Sequence, residues 1–167
     1  MARSKIQKDC EELSARLIEA LKERGKKITF AESCTAGLLA GIFCSVSGAS
    51  AVFDGSLVSY ANEVKSAFLG VPEKVLATVG AVSEECARAM AKGAAKRFSS
   101  DLALSVTGIA GPTGGTPDKP VGTVYIGCFY NGKTTVEKHL FRGGRQSVRM
   151  QSVLCALRLA QSTVISA

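Results

Sequence analysis

Tryptophan is absent, histidine occurs once, at position 139, and no two of the six cysteines stand close enough for a CxxC pair. That spacing writes neither a zinc cluster nor a disulfide framework, and reduced cytosolic thiols are the expectation. A histidine-rich metal site is excluded, and a Ser-His-Asp triad would have to use His139. Long apolar runs are missing too. The longest, Ala36 to Cys44, reaches about half of the roughly 20 residues that a membrane span needs. Met1-Ala2-Arg3-Ser4-Lys5 leads into charged residues and not an apolar signal core, so the expected location is the cytoplasm. Internal repeats and low-complexity tracts are also lacking.

What remains is an ordinary globular composition. Apolar residues make up 46% and charged residues 21% of 167 positions, enough for one domain with a full core and no staple. The net charge is +7, and between Lys133 and Arg158 six Lys or Arg residues face one acid, Glu137. Such a surface suits a small anion or nucleic acid. No basic tract interleaved with aromatics favours the second, so a small anion is the expected partner and nucleic acid is not.

Periodicity orders the elements. Ile6, Cys10, Leu13, Leu17 and Leu21 share one helical face, and Gly25 ends that helix. Lys27 to Ala31 reads as a strand and residues 35–46 as a buried helix. Ser47 to Ser50 reads as a loop, and a strand is placed around Leu57 to Tyr60. Short helices follow over Asn62 to Leu69 and from Pro72 to near Gly80. Ser83 suits an N-cap, with Glu84 and Glu85 in the first turn of a helix running to about Phe98. Leu102 to Val106 is an apolar strand, and residues 108–120 form a loop rich in glycine and proline. Val121 to Tyr130 and Thr134 to Phe141 alternate as strands around the hairpin signal Asn131-Gly132. A helix from about Gln146 to Ile165 closes the chain. The pattern predicts an α/β fold with a mixed sheet.

Gly127 to Thr134 matches the phosphate-loop pattern GxxxxGK[ST]. Its variable positions hold Cys128-Phe129-Tyr130, and Thr134-Thr135-Val136 follows. These are strand residues, whereas a phosphate loop opens a helix; the hairpin is the reading. Ala31-Glu32-Ser33-Cys34-Thr35-Ala36-Gly37 lies where a strand gives way to a helix. Ser33 there either caps the helix or serves as a nucleophile beside free amides that stabilise an oxyanion. Cys34 and Thr35 are rival nucleophiles. The base would be His139, or Lys65 if burial lowers its proton affinity. The stretch Thr107 to Gly115, with Gly108 and Gly111, would let backbone N–H groups approach an anion. Arg145 and Arg149 share one helix face near a helix start, where cations oppose the dipole unless an anion binds between them.

Four ordered motifs resemble the C-terminal domain of the CinA (competence/damage-inducible protein) family in its stand-alone form, from about Ile6 to Ala160. They are Ala31 to Gly37, Ser59-Tyr60-Ala61-Asn62-Glu63-Val64-Lys65, Gly80 to Glu85, and Val106 to Pro112 continuing through Lys119 to Val124. The resemblance implies a three-layer α/β/α sandwich, and a homo-oligomer without metal or other cofactor. It also implies hydrolysis of the carboxamide of nicotinamide mononucleotide to nicotinate mononucleotide and ammonia, in pyridine nucleotide salvage. On this resemblance Ser33 is the nucleophile, Lys65 its base and Tyr60 an ordering residue. The amides of Cys34 and Thr35 would hold the oxyanion. Thr107, Gly108 and Gly111 would line the ligand, and Arg145 and Arg149 would face its phosphate. Two positions depart from the pattern: Ala36 and Gly144 stand where many members carry glycine and aspartate.

Overall fold

In the computed structural model, which describes residues 4–165, helix α1 (Lys5–Glu23) opens the chain. Ser4 caps it by accepting from the Gln7 amide, and Cys10, Leu17, Ile18 and Leu21 are its buried stripe. The leading Met1 to Arg3, part of the segment read as lacking a signal core, lie outside the described residues. Strand β1 (Ile28–Glu32) is buried at every position, as a central strand covered on both faces should be.

After β1 come α2 (Leu38–Cys44), a 3-10 turn at Ala49–Ala51, and β2 (Phe53–Val58). The first correction to the sequence reading is α2, which starts later than residue 35. Ala36 and Gly37 hold φ of 49° and 86°, so residues 33–37 form a turn and not a helical start. The second is β2, which begins at Phe53 and ends before Tyr60. The Asp54-Gly55 pair looks like turn chemistry, yet here it is strand. The Thr29 hydroxyl donates to Gly55 O, and the Phe98 ring fills the space that a side chain at 55 would need.

Helices α3 (Asn62–Leu69), α4 (Glu73–Thr78) and α5 (Glu84–Phe98) precede β3 (Leu102–Gly108). Ser83 caps α5 by accepting from the Cys86 amide. The chain ends with the hairpin β4 (Thr123–Tyr130) and β5 (Lys133–Leu140), then α6 (Arg145–Ile165). Asn131 and Gly132 take φ of 48° and 79° at the hairpin tip, as a tight turn between twisted strands requires. Gly127 to Thr134 is thus hairpin and no phosphate loop.

The strand order is β2-β1-β3-β4-β5. β1 runs parallel to both β2 and β3, while β4 and β5 are antiparallel to their neighbours. One face packs under α1, α2 and α6, in a core that includes Phe30, Phe43, Leu104, Ile126 and Leu157. The other packs under α5, with α3 and α4 beyond, in a smaller cluster around Ala31, Leu69, Met90 and Ala103. This is the three-layer α/β/α sandwich with a mixed sheet. Among the described residues no helix is long and apolar enough to cross a membrane.

Candidate active site

The carboxyl ends of the parallel strands β2, β1 and β3 lie side by side, the position where open α/β sheets place ligands. Ser33 follows β1 directly. Its amide donates to Val106 O on β3 (2.9 Å), while the Ser59 amide just past β2 donates to Glu32 O (2.7 Å). These two bonds extend the ladders beyond the strand ends and bring Ser33, Ser59 and Tyr60 to one edge.

Lys65 reaches that edge from the first half of α3. Its Nζ lies 3.1 Å from Ser33 Oγ, 2.7 Å from Ser59 O and 3.1 Å from Tyr60 O. The residue is only 1% exposed and, among the described residues, forms no salt bridge. Burial without a counter-carboxylate disfavours the ammonium, and the lysine pKa falls below its ordinary 10.5, with the Cys86 and Cys34 thiols opposing weakly. A neutral amine has two N–H bonds and one lone pair. With both N–H groups committed to the carbonyls of Ser59 and Tyr60, the lone pair is left for the Ser33 hydroxyl.

His139, the other base considered from sequence, lies on β5, two strands beyond β3 and on the order of 14 Å from β1 at ordinary strand spacing. It pairs with Glu137 (2.9 Å) and stacks on Phe141. Cys34 is buried within the core beside α2, and burial pushes its thiol up to about 11, so the thiolate is scarce at neutral pH. The Thr35 hydroxyl is buried without a partner. Among the described residues the Thr35 amide donates to no protein acceptor, and the Cys34 amide meets only its own thiol. Of the two residues only Cys34 faces the cavity, so its amide is the donor available to an oxyanion.

A cavity of about 350 Å³ opens in front of the pair. Ser33, Cys34, Tyr60, Lys65, Thr107, Gly108, Gly111 and Arg145 line it; Thr35 and Arg149 do not. The Thr107 hydroxyl donates to Ala81 O (2.8 Å), tying the end of β3 to the approach to α5. At Gly108 a Cβ would stand 2.7 Å from Thr123 O, so only glycine lets the loop fold back over β4 here. Arg145, the first residue of α6, donates to Gly111 O (2.9 Å) and to the Tyr60 hydroxyl (3.0 Å), arching over the cavity mouth. Arg149 points elsewhere, donating to Thr35 O (2.7 Å) and to Gln146 Oε1 (3.0 Å). The two arginines that sequence spacing put on one helix face therefore part company. Among the described residues no group of three or more His, Cys, Asp or Glu is placed to hold a metal ion.

One site residue escaped the sequence reading. Glu32 is fully buried, and its carboxylate accepts from the Leu39 and Ala40 amides at the start of α2 (3.0 and 2.9 Å). It performs the capping role that was one of the two readings of Ser33, whose hydroxyl meets Lys65 instead. The signal was an acid at the end of an apolar strand, just ahead of a helix whose own N-cap, Gly37, has no side chain.

The CinA C-terminal domain profile matches residues 10–164. A CinA-like protein of Anaeromyxobacter sp. (strain Fw109-5) is 50% identical over 149 residues, covering 89% of this chain and 36% of that protein. Another, from Kosmotoga olearia, is 45% identical over 155 residues, covering 93% of this chain and 38% of the relative. The chain thus spans under two fifths of these curated relatives. The crystal structure of a CinA superfamily protein from Klebsiella pneumoniae superposes with a TM-score of 0.91 at 33% identity, covering 95% of this chain and 99% of that one. A competence/damage inducible protein from Agrobacterium tumefaciens superposes with a TM-score of 0.88 at 41% identity, covering 90% and 93%. With nearly its whole length matched in sequence and in fold, the chain belongs to the CinA C-terminal domain family.

Proposed function

We propose that this chain is an amidohydrolase that converts nicotinamide mononucleotide to nicotinate mononucleotide and ammonia. The observation that carries the reading is the buried Lys65 Nζ, 3.1 Å from Ser33 Oγ, with its proton affinity lowered. The substrate rests on the resemblance of the four motifs to their family, and the cavity, with an arginine and an aromatic at its mouth, suits a nucleotide-sized anion.

Ser33 Oγ attacks the carboxamide carbon as its proton passes to Lys65 Nζ. The carbonyl oxygen becomes an oxyanion held by the Cys34 amide, which faces the cavity. The C–N bond then breaks, the proton on Lys65 goes to the leaving nitrogen, and ammonia departs. Water, deprotonated by Lys65, cleaves the acyl-serine ester and restores the Ser33 hydroxyl. The Tyr60 ring lies against the cationic pyridinium, and Arg145 faces the phosphate. Thr107, Gly108 and Gly111 shape the wall.

The test is ammonia release from nicotinamide mononucleotide in the presence of a chelator, for the wild type and Ser33→Ala. Release by the wild type and a loss of at least about a thousandfold in the variant are expected. Near-normal release by Ser33→Ala would remove the serine assignment. No release by either would remove the substrate.

A further inference from the structure

Arg149 sits outside the cavity, yet it is bonded to the turn that carries the nucleophile. Its Nη2 donates to Thr35 O (2.7 Å), a contact spanning 114 residues of chain between α6 and the turn. Gln146 holds Nη1 at 3.0 Å, and among the described residues no carboxylate pairs with the guanidinium. Two polar atoms at this contact, Arg149 Nε and Thr35 Oγ1, are buried without partners. The turn itself is strained, because Ala36 holds a φ of 49° that a residue with a Cβ rarely adopts. Glu32 ties the turn to α2 ahead of Ser33, and Arg149 ties it to α6 behind. The Thr35 carbonyl accepts from the Leu38 amide as well, so its peptide plane is gripped from two sides.

From this geometry we infer that Arg149 is a positioning residue, which clamps the 33–37 turn so that Ser33 stays aimed at the reacting carbon and the Cys34 amide at its oxygen. It does not bind the substrate phosphate. The inference rests on the nucleophile reading of Ser33, and it assigns the two arginines opposite kinetic roles.

The experiment compares Arg149→Met, Arg149→Lys and Arg145→Met with the wild type in steady-state hydrolysis of nicotinamide mononucleotide. It also measures, without that substrate, the rate at which a fluorophosphonate probe labels Ser33. Misaiming by about 1 Å can cost on the order of a hundredfold. Arg149→Met is expected to lower kcat by about 10- to 100-fold with KM within about threefold, and to slow labelling similarly. Arg149→Lys, which keeps the charge and one donor, restores part of both. Arg145→Met raises KM instead. A raised KM with unchanged kcat in Arg149→Met, or labelling at the wild-type rate in both Arg149 variants, would overturn the clamp. Labelling of the wild type without hydrolysis removes the substrate assignment and leaves the clamp to be decided by the labelling rates. A wild-type chain that takes up no probe at Ser33 overturns the nucleophile reading and the clamp together.

Discussion

In the proposed mechanism Lys65 is the base, working as the neutral amine, and its environment sets a pH dependence of definite sign. Burial lowers the pKa below 10.5, so the amine is neutral at lower pH than a solvated lysine would be. Turnover should therefore climb with pH and level off below 10.5, with the acid limb marking protonation of Lys65. Lys65→Arg, which stays charged, should abolish this limb and lower kcat by about 100- to 10,000-fold; a pH–rate series on both proteins checks it. Ala36 carries a second prediction at this scale. Its left-handed φ is one that glycine adopts more readily than alanine. Ala36→Gly removes strain of roughly 1–2 kcal/mol and adds roughly 0.5–1 kcal/mol of unfolded-chain entropy. The net expectation is a gain of about 0.5–1 kcal/mol in chemical denaturation. Ser33 and Lys65 were legible as candidates in the sequence because their types and neighbours are chemically distinctive, whereas Tyr60 was named only through the resemblance of its motif. Glu32 was not, because a carboxylate that caps a helix across a five-residue turn leaves no fixed local spacing.

Among the elements, α3 matters most, because it delivers Lys65. Its C-terminal end rests against α5 at Gly93, where a Cβ would stand 1.9 Å from Leu69 O. Gly93→Ala should push the two helices apart, destabilise the fold by about 1–3 kcal/mol and lower kcat as Lys65 withdraws; thermal scans alongside kinetics would detect both. The boundaries of α3 and α5 follow from their own sequences, through Glu63 in one first turn and the Ser83 cap in the other. Those of α2 and β2 do not. α2 begins only after a strained turn clamped from elsewhere, and β2 runs through Asp54-Gly55 because tertiary partners, Thr29, Lys27 and Phe98, outweigh local turn preference.

For the whole molecule, the parallel trio β2-β1-β3 brings the carboxyl strand ends together, and the opposite end is fastened by Asp101. Partial burial raises its carboxyl pKa, but hydrogen bonds from the Lys26 ammonium (2.7 Å) and the Lys27 amide (2.9 Å) outweigh this and hold it below its usual 3.8. A carboxylate with a depressed folded-state pKa adds stability above its unfolded value and loses it as pH falls through the folded value. Asp101→Asn should lower the melting temperature by a few degrees near neutrality, and the gap should close as the pH drops through 3.8 and below; melting curves across that range test it.

The sequence by itself determined the succession of elements, the hairpin at Asn131-Gly132 and the absence of a phosphate loop. It also singled out the short list of chemically distinctive side chains. These are matters of period, cap and turn, which act over a few residues. Only the tertiary structure decided which of those side chains meet. Lys65 and Ser33 lie 32 residues apart, and Arg149 and Thr35 lie 114 apart. Strand order and parallel register bring each pair together, and no local pattern encodes them. The same packing sent Arg145 to the cavity and Arg149 behind it, because adjacent turns of one helix can face different neighbours once that helix is docked.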